Sequence, residues 1–136
     1  MDDVLMNKIA SIERCLKRIE EEYIGFEQEL ETNYTRQDSI VLNLQRACEA
    51  SIDAAMHIVR INKLGVPQES RNAFELLENS RFLNADLAQR MKKMVGFRNV
   101  AVHDYQKLNS EILKSILENH LGDFRRFSSS MLSLIK

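Results

Sequence analysis

Glycine and proline are scarce in this 136-residue chain, with four glycines and a single proline, Pro67. Folds built from many strands and tight turns use both residues freely, so their rarity favours a few long elements. Long apolar runs are missing too. None approaches the roughly 20 residues of a membrane span, and the start, Met1-Asp2-Asp3-Val4, is acidic where a secretory signal is basic. A cytoplasmic protein is expected. There are only two cysteines, Cys15 and Cys48, both on apolar faces of separate expected helices. They read as reduced core residues. No Cys/His spacing resembles a zinc site, and no glycine-rich loop could cradle a phosphate, so neither metal nor cofactor is expected. The formal net charge of −1 excludes a protein that coats nucleic acid through bulk electrostatics.

What the chain has in quantity is helix-forming residues: Leu, Ile, Glu, Lys, Arg, Gln, Met and Ala dominate. With no linker, repeat or low-complexity segment, residues 1–136 form one domain. The expected fold is all-α, an up-and-down bundle of four long helices and one short one. The first helix runs from about Asp2 to Glu22, its stripe made by Leu5, Ile9, Ile12, Leu16, Ile19 and Tyr23. Phe26 extends that stripe past Gly25, where the helix stops or bends. The second runs from about Thr35 to Lys63 and faces inward through Ile40, Leu44, Ala47, Ser51, Ala54, Ile58 and Ile61, with Gly65 in a left-handed cap ahead of Pro67. Ser70 is the expected cap of a short third helix over Arg71–Asn79, and Asn84 caps a fourth reaching about Val102. Asn109 begins the last, whose seam is Leu113, Leu117, His120, Phe124, Phe127, Met131 and Leu134.

Charge is unevenly spread. Residues 13–31 carry seven glutamates, while Arg90, Lys92, Lys93 and Arg98 form a basic stretch with no acid among them. A local anion site is allowed. Arg98 also interrupts the inner stripe of the fourth helix, Leu87, Met91, Met94, Arg98, Ala101, Tyr105 and Leu108, whose other members are apolar or aromatic. A guanidinium in such a stripe faces a wet cleft or a partner, or it is buried and paired, for instance with Glu49. Positions 98 and 105 share a helical face, whereas 98 and 103 differ by roughly 140° on a regular helix. His103 can join Arg98 only if the helix ends near Val102, or if a second copy of the chain supplies the other residue.

The spacing Arg98, four residues, His103, one residue, Tyr105 resembles the Arg-x4-His-x-Tyr signature of HepT-type toxins of the HEPN superfamily. The second-helix segment Asp38 to Ala50 and the run Leu64-Gly65-Val66-Pro67-Gln68 resemble theirs as well, and the likeness spans most of the chain. The resemblance implies the toxin of a type VII toxin–antitoxin pair: a metal-independent endoribonuclease acting as a homodimer, with the motifs of two chains meeting in one cleft. It also implies a minimal nucleotidyltransferase antitoxin that silences the toxin by attaching AMP to the motif tyrosine, here Tyr105. The chemistry suits the residues. RNA is cleaved by its own 2′-hydroxyl when a base takes the proton and a cation stabilises charge building on phosphorus. A histidine does the first and an arginine fork the second.

Neighbouring residues admit two readings each. Asn99 can contact a phosphate or ribose. Asp104 can orient His103, or be solvated or capping. Lys92 and Lys93 read first as a solvated face and second as an RNA-backbone contact. Asp38 and Glu49 can line the cleft or pair with Arg98. His57, on the outer flank of the second helix, and His120, in the last seam, read as structural. Two other functions compete with the ribonuclease. One is a non-catalytic HEPN module that binds nucleotide or docks a nucleotidyltransferase, and the other a plain helical scaffold, which leaves Arg98 unexplained.

Overall fold

A computed structural model describes residues 2–135. It is all-helical: α1 (Asp3–Tyr23), α2 (Tyr34–Ile61), α3 (Ser70–Asn79), α4 (Ala85–His103), α5 (Ser110–Asn119) and α6 (Leu121–Leu132). Short 3-10 turns at Glu27–Glu29, Tyr105–Lys107 and Ser133–Ile135 complete it. The helices start where the sequence supplies side-chain acceptors. Asp2, Asn33, Asn84 and Asn109 each accept a backbone N–H of the first turn, with Asn84 to Leu87 at 2.8 Å. Such caps each contribute about 1 kcal/mol.

The predicted stripes of α1 and α2 meet as the most extensive helix pair, burying Leu5, Ile12, Leu16 and Ile19 against Ile40, Leu44, Ala47, Ala54 and Ile58; Ile61, expected on the same face, is half exposed at the end of α2. Alanine at 47, 54 and 55 leaves room for a close approach. The α6 helix packs on α1, α2 and α4 with Phe124 and Phe127, and Phe127 meets Phe74 of α3 edge to face, 5.6 Å between centroids. Each such burial stabilises the fold by about 1.5–3 kcal/mol. Both cysteines are free and buried, as expected.

The structure corrects several local expectations. The last helix is two, because the chain turns at His120 (φ −126°, ψ 0°). At this corner lies a buried carboxylate: Asp123 is 4% exposed and must be satisfied. It takes His120 Nδ1 at 3.1 Å, with Arg90 and Arg126 at 3.7 and 3.8 Å. His120 is therefore a corner residue rather than a member of an apolar seam. His57 is not on an outer flank. It is buried, its Nε2 2.7 Å from the Asp2 carboxylate and its Nδ1 2.9 Å from Arg60, which ties the start of α1 to α2. Gly25 (φ 88°) stops α1, and Phe26 lies exposed beneath the Arg36 guanidinium.

Gly65 is not the left-handed cap of α2. Lys63 (φ 54°) takes that conformation, with Leu64 N–H donating to the Val59 carbonyl and Lys63 N–H to that of Arg60. Arg81 (φ 63°) closes α3 in the same way. Ser70 is the first residue of α3, not its cap, because Glu69 occupies that position without a side-chain bond. The Ser70 hydroxyl is turned instead toward Arg98.

Candidate functional site

The first half of α4 is a core element: Leu87, Ala88, Met91, Met94 and Val95 are all buried. One turn beyond Met94 the stripe delivers Arg98 between α2 and α3. Its Nη2 donates to Ser70 Oγ at 3.2 Å, and its Nη1 stands 4.0 Å from Glu49 Oε2. Its Nε is buried with no hydrogen-bond partner among the described residues. The pairing with Glu49 foreseen from sequence is present, but at the outer limit of an ion pair. A guanidinium carries five donors; the buried Nε is out of reach of solvent, and with the side chain 22% exposed only part of the Nη end can meet an incoming oxyanion. Beneath it Cys48 is buried, which pushes its thiol well above the ordinary range despite the opposing pull of Arg98.

The helix stays regular through His103, its last residue. Arg98 and His103 of one chain therefore remain roughly 140° apart on the helix. His103 is exposed, and none of its side-chain atoms has a hydrogen-bond or ion-pair partner among the described residues. Asp104 breaks the helix (φ −155°, ψ 59°), and its carboxylate pairs with Lys107 at 3.3 Å. It caps α4 rather than holding the His103 ring.

Tyr105 leaves the stripe on which the sequence put it. It starts the 3-10 turn, and its hydroxyl donates to Asp38 Oδ1 at 2.5 Å, joining this turn to the first turns of α2. Burial, then the bond to the Asp38 carboxylate, pushes the phenol up to about 12. The residue is 39% exposed, so the ring is held by Asp38 at the surface of the molecule. Asn99 is half-buried on the same side of α4 as His103, and Lys93 is exposed. Lys92 lies 3.9 Å from Glu75 of α3. With its side chain 17% exposed it does not lie on the solvated face expected from sequence.

One residue near the site escaped the sequence reading. Arg71, in the first turn of α3, lies across α4 with its Nε 3.4 Å from the Lys92 carbonyl. Its Nη2 would be 3.0 Å from a Cβ at position 96, where the chain has glycine. Gly96 in mid-helix was the available signal, since glycine there costs about 1 kcal/mol relative to alanine and calls for a compensating reason.

Comparison with known proteins decides the family. A family model described as Ribonuclease HepT-like matches residues 12–131. The chain belongs to that family. The mRNA nuclease HepT of Shewanella oneidensis is 50% identical over 127 residues, covering 93% of this chain and 95% of that protein. A tri-AMPylated HEPN toxin of the same organism, solved in complex with an MNT antitoxin, superposes with a TM-score of 0.93 at 47% identity, over 98% of this chain and 99% of that one. A toxin–antitoxin structure containing AMP-PNP gives 0.93 at 46%, over 97% and 99%. As a member of the HepT-like family the protein is a ribonuclease with the helical HEPN fold, as the resemblance implied.

Proposed function

We propose that this ribonuclease is the toxin of a toxin–antitoxin pair, that Arg98 and His103 carry its cleavage, and that AMP placed on Tyr105 silences it. One observation carries the reading: Arg98 interrupts an apolar stripe with its guanidinium partly exposed, held by one hydrogen bond to Ser70 and only a 4.0 Å contact to Glu49. An arginine left so is costly to a core but useful to an oxyanion. A histidine accepts the 2′-hydroxyl proton, and the freed oxygen forms a bond to phosphorus. The bond from phosphorus to the 5′-oxygen breaks, and a second histidine returns a proton to the leaving group. Arg98 holds the non-bridging oxygens as their charge grows. No metal ion is needed for this sequence of steps.

The divergence of Arg98 and His103 along one α4 supports a site shared by two copies of the chain, where two arginines and two histidines face each other. The relatives solved with an MNT antitoxin and with AMP-PNP support a nucleotidyltransferase partner acting on this chain. In that transfer the Tyr105 oxygen gives its proton to the Asp38 carboxylate that already accepts its hydrogen bond, attacks the α-phosphorus of ATP, and pyrophosphate departs. The product can no longer donate a hydrogen bond to Asp38, and it sets a phosphate charge beside that carboxylate and close to His103.

The test is expression of the unmodified protein and of His103→Ala, following growth and total-RNA integrity. Arrest and fragmentation by the first alone, persisting in EDTA when purified, support the reading. Equal harmlessness, with Tyr105 unmodified and both proteins folded by circular dichroism, replaces it with a docking module for the nucleotidyltransferase. Tyr105→Phe is expected to escape silencing in cells.

A further inference from the structure

Four positions of α4 follow one another at helical spacing: Lys92, Gly96, Asn99 and His103. They form a single stripe, about 100–160° around the helix from Arg98 and running out to its open end. Over this length α3 lies beside α4. Glu75 meets Lys92 of the stripe at 3.9 Å, and Ser70 reaches Arg98, on the neighbouring face, at 3.2 Å. Arg71 falls between these two contacts. Its guanidinium lies over Gly96, where the missing Cβ leaves the space it occupies. It forms no ion pair among the described residues, and its bond to the Lys92 carbonyl is long at 3.4 Å. A half-buried cation has thus been brought onto the His103 stripe, about 10 Å along the helix from that histidine, with its charge uncompensated.

We propose that Arg71 is a substrate-binding residue of this ribonuclease, holding a backbone phosphate of the RNA beside the scissile one, and that Gly96 is glycine to admit it. The inference rests on the reading that His103 acts on RNA. The chemistry fits the position. A planar fork with free donors suits a phosphate, and it is anchored by the α3 backbone rather than by a flexible loop. Phosphate contacts set register and orientation without reading bases, so Arg71 serves RNA of any sequence.

The experiment uses the unmodified protein and three variants, Arg71→Ala, Gly96→Ala and His103→Ala, each checked by thermal melting. Binding of a 2′-O-methyl RNA, which lacks the attacking hydroxyl, is followed by fluorescence anisotropy across a salt series. Cleavage of the matching unmodified RNA is measured in parallel. Loss of one phosphate contact lowers the slope of log affinity against log salt by about 0.7 for a single strand. Arg71→Ala should show this decrease, together with a KM about tenfold higher and the loss falling on KM rather than kcat. Gly96→Ala keeps the arginine and only displaces its guanidinium, which can shift, so it should move the salt slope and KM in the same direction by less. An unchanged salt slope and KM in Arg71→Ala overturn the proposal, even if the variant melts lower. A normal Gly96→Ala overturns the role given to the glycine. Normal cleavage by His103→Ala would instead overturn the catalytic reading, and the salt slopes would still decide whether Arg71 touches RNA.

Discussion

The two halves of α4 are one continuous helix with opposite duties. From Leu87 to Val95 its inner face is buried under α2, α3 and α6. From Arg98 to His103 the cover thins: Val100, Val102 and His103 are exposed, and Arg98 and Asn99 only half covered. The boundary lies where α3 begins, because Ser70 reaches Arg98 while Glu75 reaches back to Lys92. The difference teaches how a small bundle carries a charged site. The apolar half supplies the stability that holds the helix straight, and the uncovered half spends that rigidity on placing side chains.

Substitutions in the two halves should separate stability from activity. Met91→Ala, at a site only 1% exposed, is expected to cost about 2–5 kcal/mol of folding free energy, read by denaturant titration. Arg98→Ala should lower kcat by about 10²–10³-fold while leaving the denaturation midpoint nearly unchanged, since the guanidinium it removes is poorly satisfied. A matching loss of stability in Arg98→Ala would move Arg98 into the core with Met91.

The second prediction sharpens the contrast at the far end of the helix. Tyr105 titrates higher in the folded chain than in an unfolded one, about 12 against an ordinary value near 10. An acid whose proton is held more tightly in the native state stabilises that state below the unfolded value. The contribution is lost as pH rises through the folded one. Thermal melts should therefore reveal an alkaline loss between about pH 10 and pH 12. Asp38→Asn should shrink it without abolishing it, because burial is the larger cause and the carboxylate the smaller. At neutral pH the same variant should lose under about 1 kcal/mol and exchange the amide hydrogens of residues 105–107 faster. Exchange unchanged from the parent would show that the turn does not depend on Asp38.

The smallest effect has the opposite sign. Gly96→Ala should stabilise the protein by up to about 1 kcal/mol through helix propensity, because the atom in its way is the far end of the flexible Arg71 side chain. Greater stability combined with weaker RNA binding would mark Gly96 as a residue retained for function at the expense of folding.

Much of this was legible in the sequence where the rule is local. The stripes of α1, α2 and the first half of α4 follow from side chains repeating every three or four residues. Asn84 and Asn109 announce their helices because a cap bonds within its own turn. Local rules failed where another element competed. Ser70 looked like a cap, but Arg98, 28 residues away, has its hydroxyl. Lys63 and Arg81 adopt left-handed backbone that composition assigns to glycine, since their closing hydrogen bonds offset the strain. The seam through His120 was continuous in spacing and is broken in space at the corner where Asp123 is buried.

By itself, the sequence determined an all-helical domain, the apolar face of each long helix, and the order Arg98, His103, Tyr105 near one helix end. Periodicity and residue chemistry suffice for these. Only the tertiary structure decided that Tyr105 leaves that helix to meet Asp38, 67 residues away, that Arg98 retains unspent donors, and that Arg71 lies over Gly96. Each of these depends on which polar group reaches a partner first when helices distant in sequence pack together. Hydrogen bonds across a bundle are settled by that packing and leave no period in the chain.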